Sequence, residues 1–162
     1  MLVIGITGTL GAGKGTVVDH LVNEHDFNHY SVRQYLLNEI EKQGLQSNRD
    51  SMVIVANALR TEHTPHFIIS ELFDRAIYDG KDAVIESIRT PGEVDFLRQQ
   101  DQFLLLAIDA DPYLRYERIK SRKSETDDID FATFIENEKR EMTASDPNKQ
   151  NLQKCIQMAD IR

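Results

Sequence analysis

The sequence predicts an α/β fold in three layers, a parallel sheet with helices on both faces. Two observations carry this reading. Short apolar runs alternate with helix-patterned segments along the chain, as strand–helix–strand crossovers of a parallel sheet require. The first run, Leu2-Val3-Ile4-Gly5-Ile6-Thr7, leads straight into a glycine-rich turn that opens a helix. Strands covered on both faces read as such continuous apolar runs rather than as an alternation. A chain of 162 residues corresponds to one domain at about 150 residues each.

The elements follow in order. After the first strand and the glycine turn, Thr16 to Leu21 and Val22 have helical spacing. Residues 28–32 form a short second strand. Ser31 then caps a helix bearing Tyr35, Leu36, Leu37 and Ile40 and stopped by Gly44. Asn48 or Asp50 caps the next helix, with Met52, Val55, Ala56 and Leu59. Pro65 suits the first turn of another, which carries Ile68, Ile69, Leu72, Phe73 and Ala76 and ends at Asp79-Gly80. Residues 83–88 and 103–108 are further strands, joined by a short helix over 92–100. Asp111-Pro112 opens a helix to about Arg122, residues 123–130 form a polar loop, and helices follow near 131–142 and 148–157. Residues 159–162 lie where a last strand would begin.

Composition narrows the function. With 19 Lys+Arg against 27 Asp+Glu, the net charge of -8 excludes a generally basic nucleic-acid or membrane-surface protein, though not a local basic pocket. The single cysteine, Cys155, permits no internal disulfide and no cysteine metal cluster, and suits a reducing compartment. The five histidines (His20, His25, His29, His63, His66) show no metal-helix spacing and are assigned no chemistry. Met1 meets the first strand without a charged leader, and no segment approaches the ~20 apolar residues of a membrane span. A soluble, cytoplasmic protein is expected. Oligomeric state is not encoded in any motif.

Chemistry concentrates in Gly8-Thr9-Leu10-Gly11-Ala12-Gly13-Lys14-Gly15-Thr16. Glycines at these positions let successive backbone N–H groups turn inward on phosphate oxygens, and the following helix presents its positive end to the same charge. Lys14 reaches terminal phosphates, and the Thr16 hydroxyl lies near a metal–phosphate cluster. Gly8, Gly11, Ala12, Gly13, Lys14, Gly15 and Thr16 are therefore expected to bind nucleotide.

The common phosphate loop has Ser or Thr directly after the lysine, whereas Gly15 intervenes here. In this the loop resembles that of the adenylate-kinase-like nucleoside monophosphate kinases, a P-loop NTPase fold that uses ATP and Mg2+. The resemblance covers most of residues 2–160 and implies several roles. Glu86-Ser87-Ile88-Arg89 matches the strand end that carries a carboxylate and an acceptor-gripping arginine. Arg89 would position the acceptor phosphate, and Glu86 would orient metal-bound water or hold Arg89. Thr16 and Glu86 would thus contact magnesium, through water. In the lid-helix match, Arg118 would lie against the ATP base and Arg122 would contact the transferring phosphates, with Arg115 on nearly the same face and Arg140 a further lid arginine. Residues 32–78 would form the acceptor-binding helical insertion and residues 118–140 a short lid. The segment Ile88-Arg89-Thr90-Pro91-Gly92-Glu93-Val94 also resembles small adenylate-kinase-related ATPases.

On the acceptor side the family's Gly-Asp-x-x-Arg is replaced by Arg33-Gln34-Tyr35-Leu36-Leu37. The candidates there are Arg33, Gln34, Arg49, Asn57 and Arg60. Arg33 and Arg60 either contact the acceptor phosphate or are surface charges. The resulting reading is a kinase for a nucleoside monophosphate or related small nucleotide, with Lys14, Arg89 and Arg122 as its catalytic cations. A dephospho-CoA kinase would want an Asp soon after the second strand, where Ser31-Val32-Arg33 stands. A nucleotide-binding switch or regulatory ATPase is the non-kinase alternative.

Overall fold

The structure is a computed structural model that describes residues 1–122 and 128–162. The middle of the expected lid, residues 123–127, and most of the expected polar loop lie outside the described residues.

Four parallel strands, β1 (Val3–Gly8), β2 (Asn28–Ser31), β3 (Ala83–Glu86) and β4 (Phe103–Ile108), form a sheet in the order β2-β3-β1-β4. Beyond β4 a parallel bridge joins Leu106 to Ile161, at the place where the sequence suggests a last strand. Successive side chains along a strand face opposite sides, and the two sides bury different sets. Val3, Ala83, Ile85 and Leu105 face the larger core, with α2 (Val32–Lys42), α3 (Arg49–Glu62), α4 (Phe67–Asp79), α5 (Pro91–Arg98) and α8 (Leu152–Gln157). Ile4, Ile6 and Val84 face Val18 of α1 (Lys14–His25). The result is the expected three-layer α/β/α arrangement. Of the remaining helices, α6 (Pro112–Arg122) lies against the glycine loop through Arg115 and Arg118, and α7 (Phe131–Met142) is tied to α6 by Glu138 and Arg115.

Local chemistry sets the boundaries. Ser31 Oγ accepts from Gln34 N at 3.2 Å and caps α2, and Asn48, rather than Asp50, caps α3 by accepting from Ser51 N at 2.8 Å. α4 begins at Phe67, not at Pro65, which sits in the preceding turn. α5 starts one residue earlier than expected: Thr90 and Glu93 make a capping box around Pro91. The third strand stops at Glu86, two residues short of the expectation. Ser87 takes φ 69, a left-handed backbone that breaks the ladder. The chain resumes at once, and Ile88 N donates to Ile6 O at 3.1 Å. Gly5 must lack a side chain because a Cβ there would stand 2.6 Å from Ile88 Cδ1 and 2.8 Å from a Phe103 ring atom.

No helix among the described residues is long and apolar enough to cross a membrane. The chain leaves β1 toward β2 on one side and leaves β3 toward β4 on the other, so the connections diverge between these neighbouring strands and a crevice opens beyond their carboxyl ends.

Candidate active site

A cavity of about 830 Å³ fills that crevice, within the range of small-molecule sites. One end is the glycine loop, with Gly11, Ala12, Gly13, Lys14, Gly15 and Thr16 in its lining. The other runs between α2 and α3, past Val32, Leu36, Met52, Val53 and Ala56. Arg33, Arg60, Glu86, Arg89, Arg118 and Arg122 all line it, so the structure brings the predicted charged residues together. Gly8 is the exception. It is not in the lining, and its requirement is steric: a Cβ would sit 1.9 Å from Ile108 O, at φ +133. Its carbonyl still belongs to the site, accepting from Lys14 Nζ at 3.1 Å.

Lys14 Nζ also donates to Thr9 O at 2.7 Å. Burial, with the Arg89 charge next in weight, pushes this ammonium from 10.5 down to about 7. A buried lysine held among carbonyls, with the Arg89 charge beside it, is short of negative charge. Gly13 takes φ 105 as the N-cap of α1, with no side-chain cap. A helix start of this kind can take an anion from outside. Thr9 Oγ1 donates to Asp109 Oδ1, fastening the loop to the end of β4.

Glu86 corrects one expectation. It does not hold Arg89. Ser31 Oγ donates to it at 3.1 Å, and His29 Nε2 lies 3.2 Å from Glu86 Oε1. His29 therefore takes part in the site's polar network, although its sequence spacing assigned it nothing. Burial works against the Glu86 carboxylate, but His29, Ser31 and the Lys14 charge outweigh it and hold its pKa below the usual value. Glu86 stays ionised and faces the loop across the cavity.

Arg89 is held instead by Glu141 of α7, at 2.6 Å, and by Gln150, at 3.2 Å. The same carboxylate takes a two-pronged bond from Arg49, Nε at 2.9 Å and Nη2 at 2.8 Å. Glu141 is buried, and the charges of Arg89 and Arg49 overcome the cost of that burial and keep its pKa low. Nothing in the local sequence around Glu141 announces this; it sits among charged neighbours as any exposed helical residue would.

Arg60 is not a surface charge. It is 2% exposed and bonds Glu93 Oε1 through Nε at 3.2 Å and Nη2 at 2.8 Å. Glu93 is fully buried, and its other oxygen accepts the backbone N–H of Arg89 at 2.7 Å and of Thr90 at 3.0 Å. The Arg-x-x-x-Glu spacing thus has a mechanical meaning: Glu93 fixes the backbone from which Arg89 projects. Asn57 does not line this cavity, and its Oδ1 is buried with no partner.

The lid-helix arginines separate. Arg115, 2% exposed, joins Leu10 O of the loop to both carboxylate oxygens of Glu138 on α7. Arg118 Nη1 donates to Ala12 O at 3.1 Å and lies along the loop. Arg122 lines the cavity from the end of α6. Arg140 pairs with Asp50 at 2.8 Å, which explains it without a phosphate.

The donor set fits a nucleotide better than a resident metal. Among the described residues no group of three or more His, Cys, Asp or Glu side chains could hold a metal ion. A magnesium ion carried by phosphates would have Thr16 and Glu86 within the same cavity lining to meet it through water.

A parallel sheet in this order, with a glycine loop between its first strand and helix and cationic side chains around the crevice, defines a P-loop kinase-like fold. The chain belongs to the family described as an AAA domain, which matches residues 4–144, and to the UPF0200 proteins. A UPF0200 protein of Methanococcus vannielii is 33% identical to it, over 90% of this chain and 80% of that one. Among solved structures, shikimate kinase from Bacteroides thetaiotaomicron aligns over 99% of this chain and 84% of its own, with a TM-score of 0.56 at 14% identity. A sugar kinase from Janibacter sp. aligns over 97% and 91%, with a TM-score of 0.54 at 15% identity. At such identities the likeness concerns the fold alone.

Proposed function

We propose that the protein is an ATP-dependent phosphotransferase whose acceptor is a nucleoside monophosphate or related small nucleotide. One observation carries this reading. One cavity is lined both by the glycine loop with Lys14 and by two further arginines, Arg49 and Arg89. A nucleotide switch needs only the loop and the lysine.

In this reading the loop amides and Lys14 hold the donor phosphates, and Arg118 lies beside the donor nucleoside. Arg122 and Lys14 bear on the charge that develops on the transferring group. Arg89, with Arg49, orients the acceptor phosphate in line. A phosphate acceptor is already an anion and needs no general base, so the side chains act by positioning and charge. Magnesium carried by ATP supplies further charge neutralisation, with Glu86 and Thr16 disposed toward its water shell. The helices over residues 32–78 form the acceptor side, and Arg33 contributes from its rim. Arg60 acts through Glu93 on the placement of Arg89.

The test is an ADP-release screen with ATP and Mg2+ against ribo- and deoxynucleoside monophosphates and dephospho-CoA. ADP release that a nucleoside monophosphate accelerates and Lys14→Ala abolishes supports the reading; release accelerated by dephospho-CoA alone refutes it. Slow hydrolysis that no acceptor accelerates refutes it in favour of a switch or bare ATPase.

A further inference from the structure

Three cationic side chains and two carboxylates meet at the acceptor end of the cavity, and Glu141 has no part in the function so far assigned. Its side chain is 4% exposed. It takes a fork of hydrogen bonds from Arg49 on α3 and a single one from Arg89 on the β3–α5 connection. Each guanidinium is thereby gripped on one side only. Among the described residues, the buried side-chain nitrogens and oxygens without a partner are Asn57 Oδ1 and Arg60 Nη1 alone. Arg49 Nη1 and Arg89 Nε and Nη2 bond no protein acceptor and are not in that group, so each keeps some exposure, and both residues line the cavity. Two guanidiniums against one carboxylate leave a net positive charge facing that space.

Without Glu141 the two arginines would repel, and each long side chain would sample several rotamers. A carboxylate shared between them holds both planes in one arrangement and removes an ordering cost from binding. We propose that Glu141 is a positioning residue of the acceptor site, holding Arg49 and Arg89 side by side with their remaining N–H groups toward a phosphate group of the acceptor. The assignment rests on the phosphotransferase reading above.

The sign of one measurement separates positioning from charge. Glu141→Gln removes a negative charge beside the arginines, so electrostatics alone would tighten anion binding. Loss of positioning weakens it. The probe is inorganic phosphate, titrated into protein already saturated with the β,γ-imido analogue of ATP and followed by the arginine Nε–H resonances in 15N NMR. In Glu141→Gln, phosphate affinity is expected to fall about tenfold, the scale of leaving two rotamer-rich side chains unfixed. Affinity for the ATP analogue itself should change less than about twofold. Phosphate binding that is unchanged or tighter in the folded variant overturns the proposal, as does wild-type protein that takes no phosphate with the analogue bound. Arg49→Lys is the second variant. It keeps the charge at a partly exposed position but cannot fork onto Glu141, and it should lose phosphate affinity in the same direction. Unchanged binding there also overturns the proposal. Failure of the wild-type protein to bind the ATP analogue would instead refute the phosphotransferase reading.

Discussion

Binding of a nucleotide should draw a proton onto Lys14. Free, this side chain has a pKa of about 7, set first by burial and then by the Arg89 charge. At pH 8 about nine in ten of these amines are then neutral. Phosphates placed in the loop supply the missing negative charge and return the ammonium to its charged form. Uptake due to Lys14 is therefore about 0.9 proton per nucleotide at pH 8, about 0.5 at pH 7 and about 0.1 at pH 6. Calorimetry with MgADP in Tris and in HEPES measures it, because the observed enthalpy varies with buffer ionisation enthalpy in proportion to the protons exchanged. Lys14→Met supplies the reference for protons exchanged by the nucleotide itself. The same lowered pKa has a counterpart in stability. Between about pH 7 and pH 10.5 the unfolded chain binds more protons at this position than the folded one. The penalty on the free protein is complete below that window and fades as pH rises through it, so the free protein should gain stability from pH 7 to pH 9 relative to Lys14→Met. Equal proton uptake by wild type and Lys14→Met at pH 8 would refute the reasoning.

Other substitutions follow from the same geometry. Gly8→Ala forces a methyl against Ile108 O at positive φ and should cost about 3 kcal/mol or more in denaturant unfolding. Gly15→Ala meets nothing within 4 Å and should be neutral or stabilising by up to about 1 kcal/mol. Glu93→Gln leaves the buried Arg60 charge uncompensated and should cost about 3–5 kcal/mol, read as a shift of the urea midpoint. Arg118→Ala should mainly weaken ATP affinity and Arg122→Ala mainly lower turnover, measured in steady-state assays over an ATP range; identical profiles would mean that the two share one role.

Much of the site was legible because its residues lie in short, context-bound strings. The glycine loop sits between an apolar strand and a helix start, and both sides of that context survive folding. Arg89 was legible from its place after the third strand. Glu141, Glu93 and His29 were not, because the side chains they pair with lie 33 to 92 positions away in the chain; Arg49 was named on the acceptor side, but its bond to Glu141 was not visible. Glu86 was placed at the strand end with two alternatives, and the one that pairs it with Arg89 gives way to Ser31 and His29. Strand alternation says nothing of Ser87, whose left-handed backbone ends the strand at Glu86. Arg60 was left open between an acceptor contact and a surface charge, because helical spacing cannot tell a solvent face from one packed on a buried acid such as Glu93.

The Arg60–Glu93 lock limits how the sequence can drift. Glu93 serves three donors at once, a guanidinium and the amides of residues 89 and 90. Losing Arg60 first leaves a carboxylate still capped by two N–H groups at a helix start, a state that helices tolerate. Losing Glu93 first strands a buried guanidinium that already has one nitrogen without a partner. Change is therefore directional: related chains should keep the acid at this place where the base has been replaced, and the base alone should be rare.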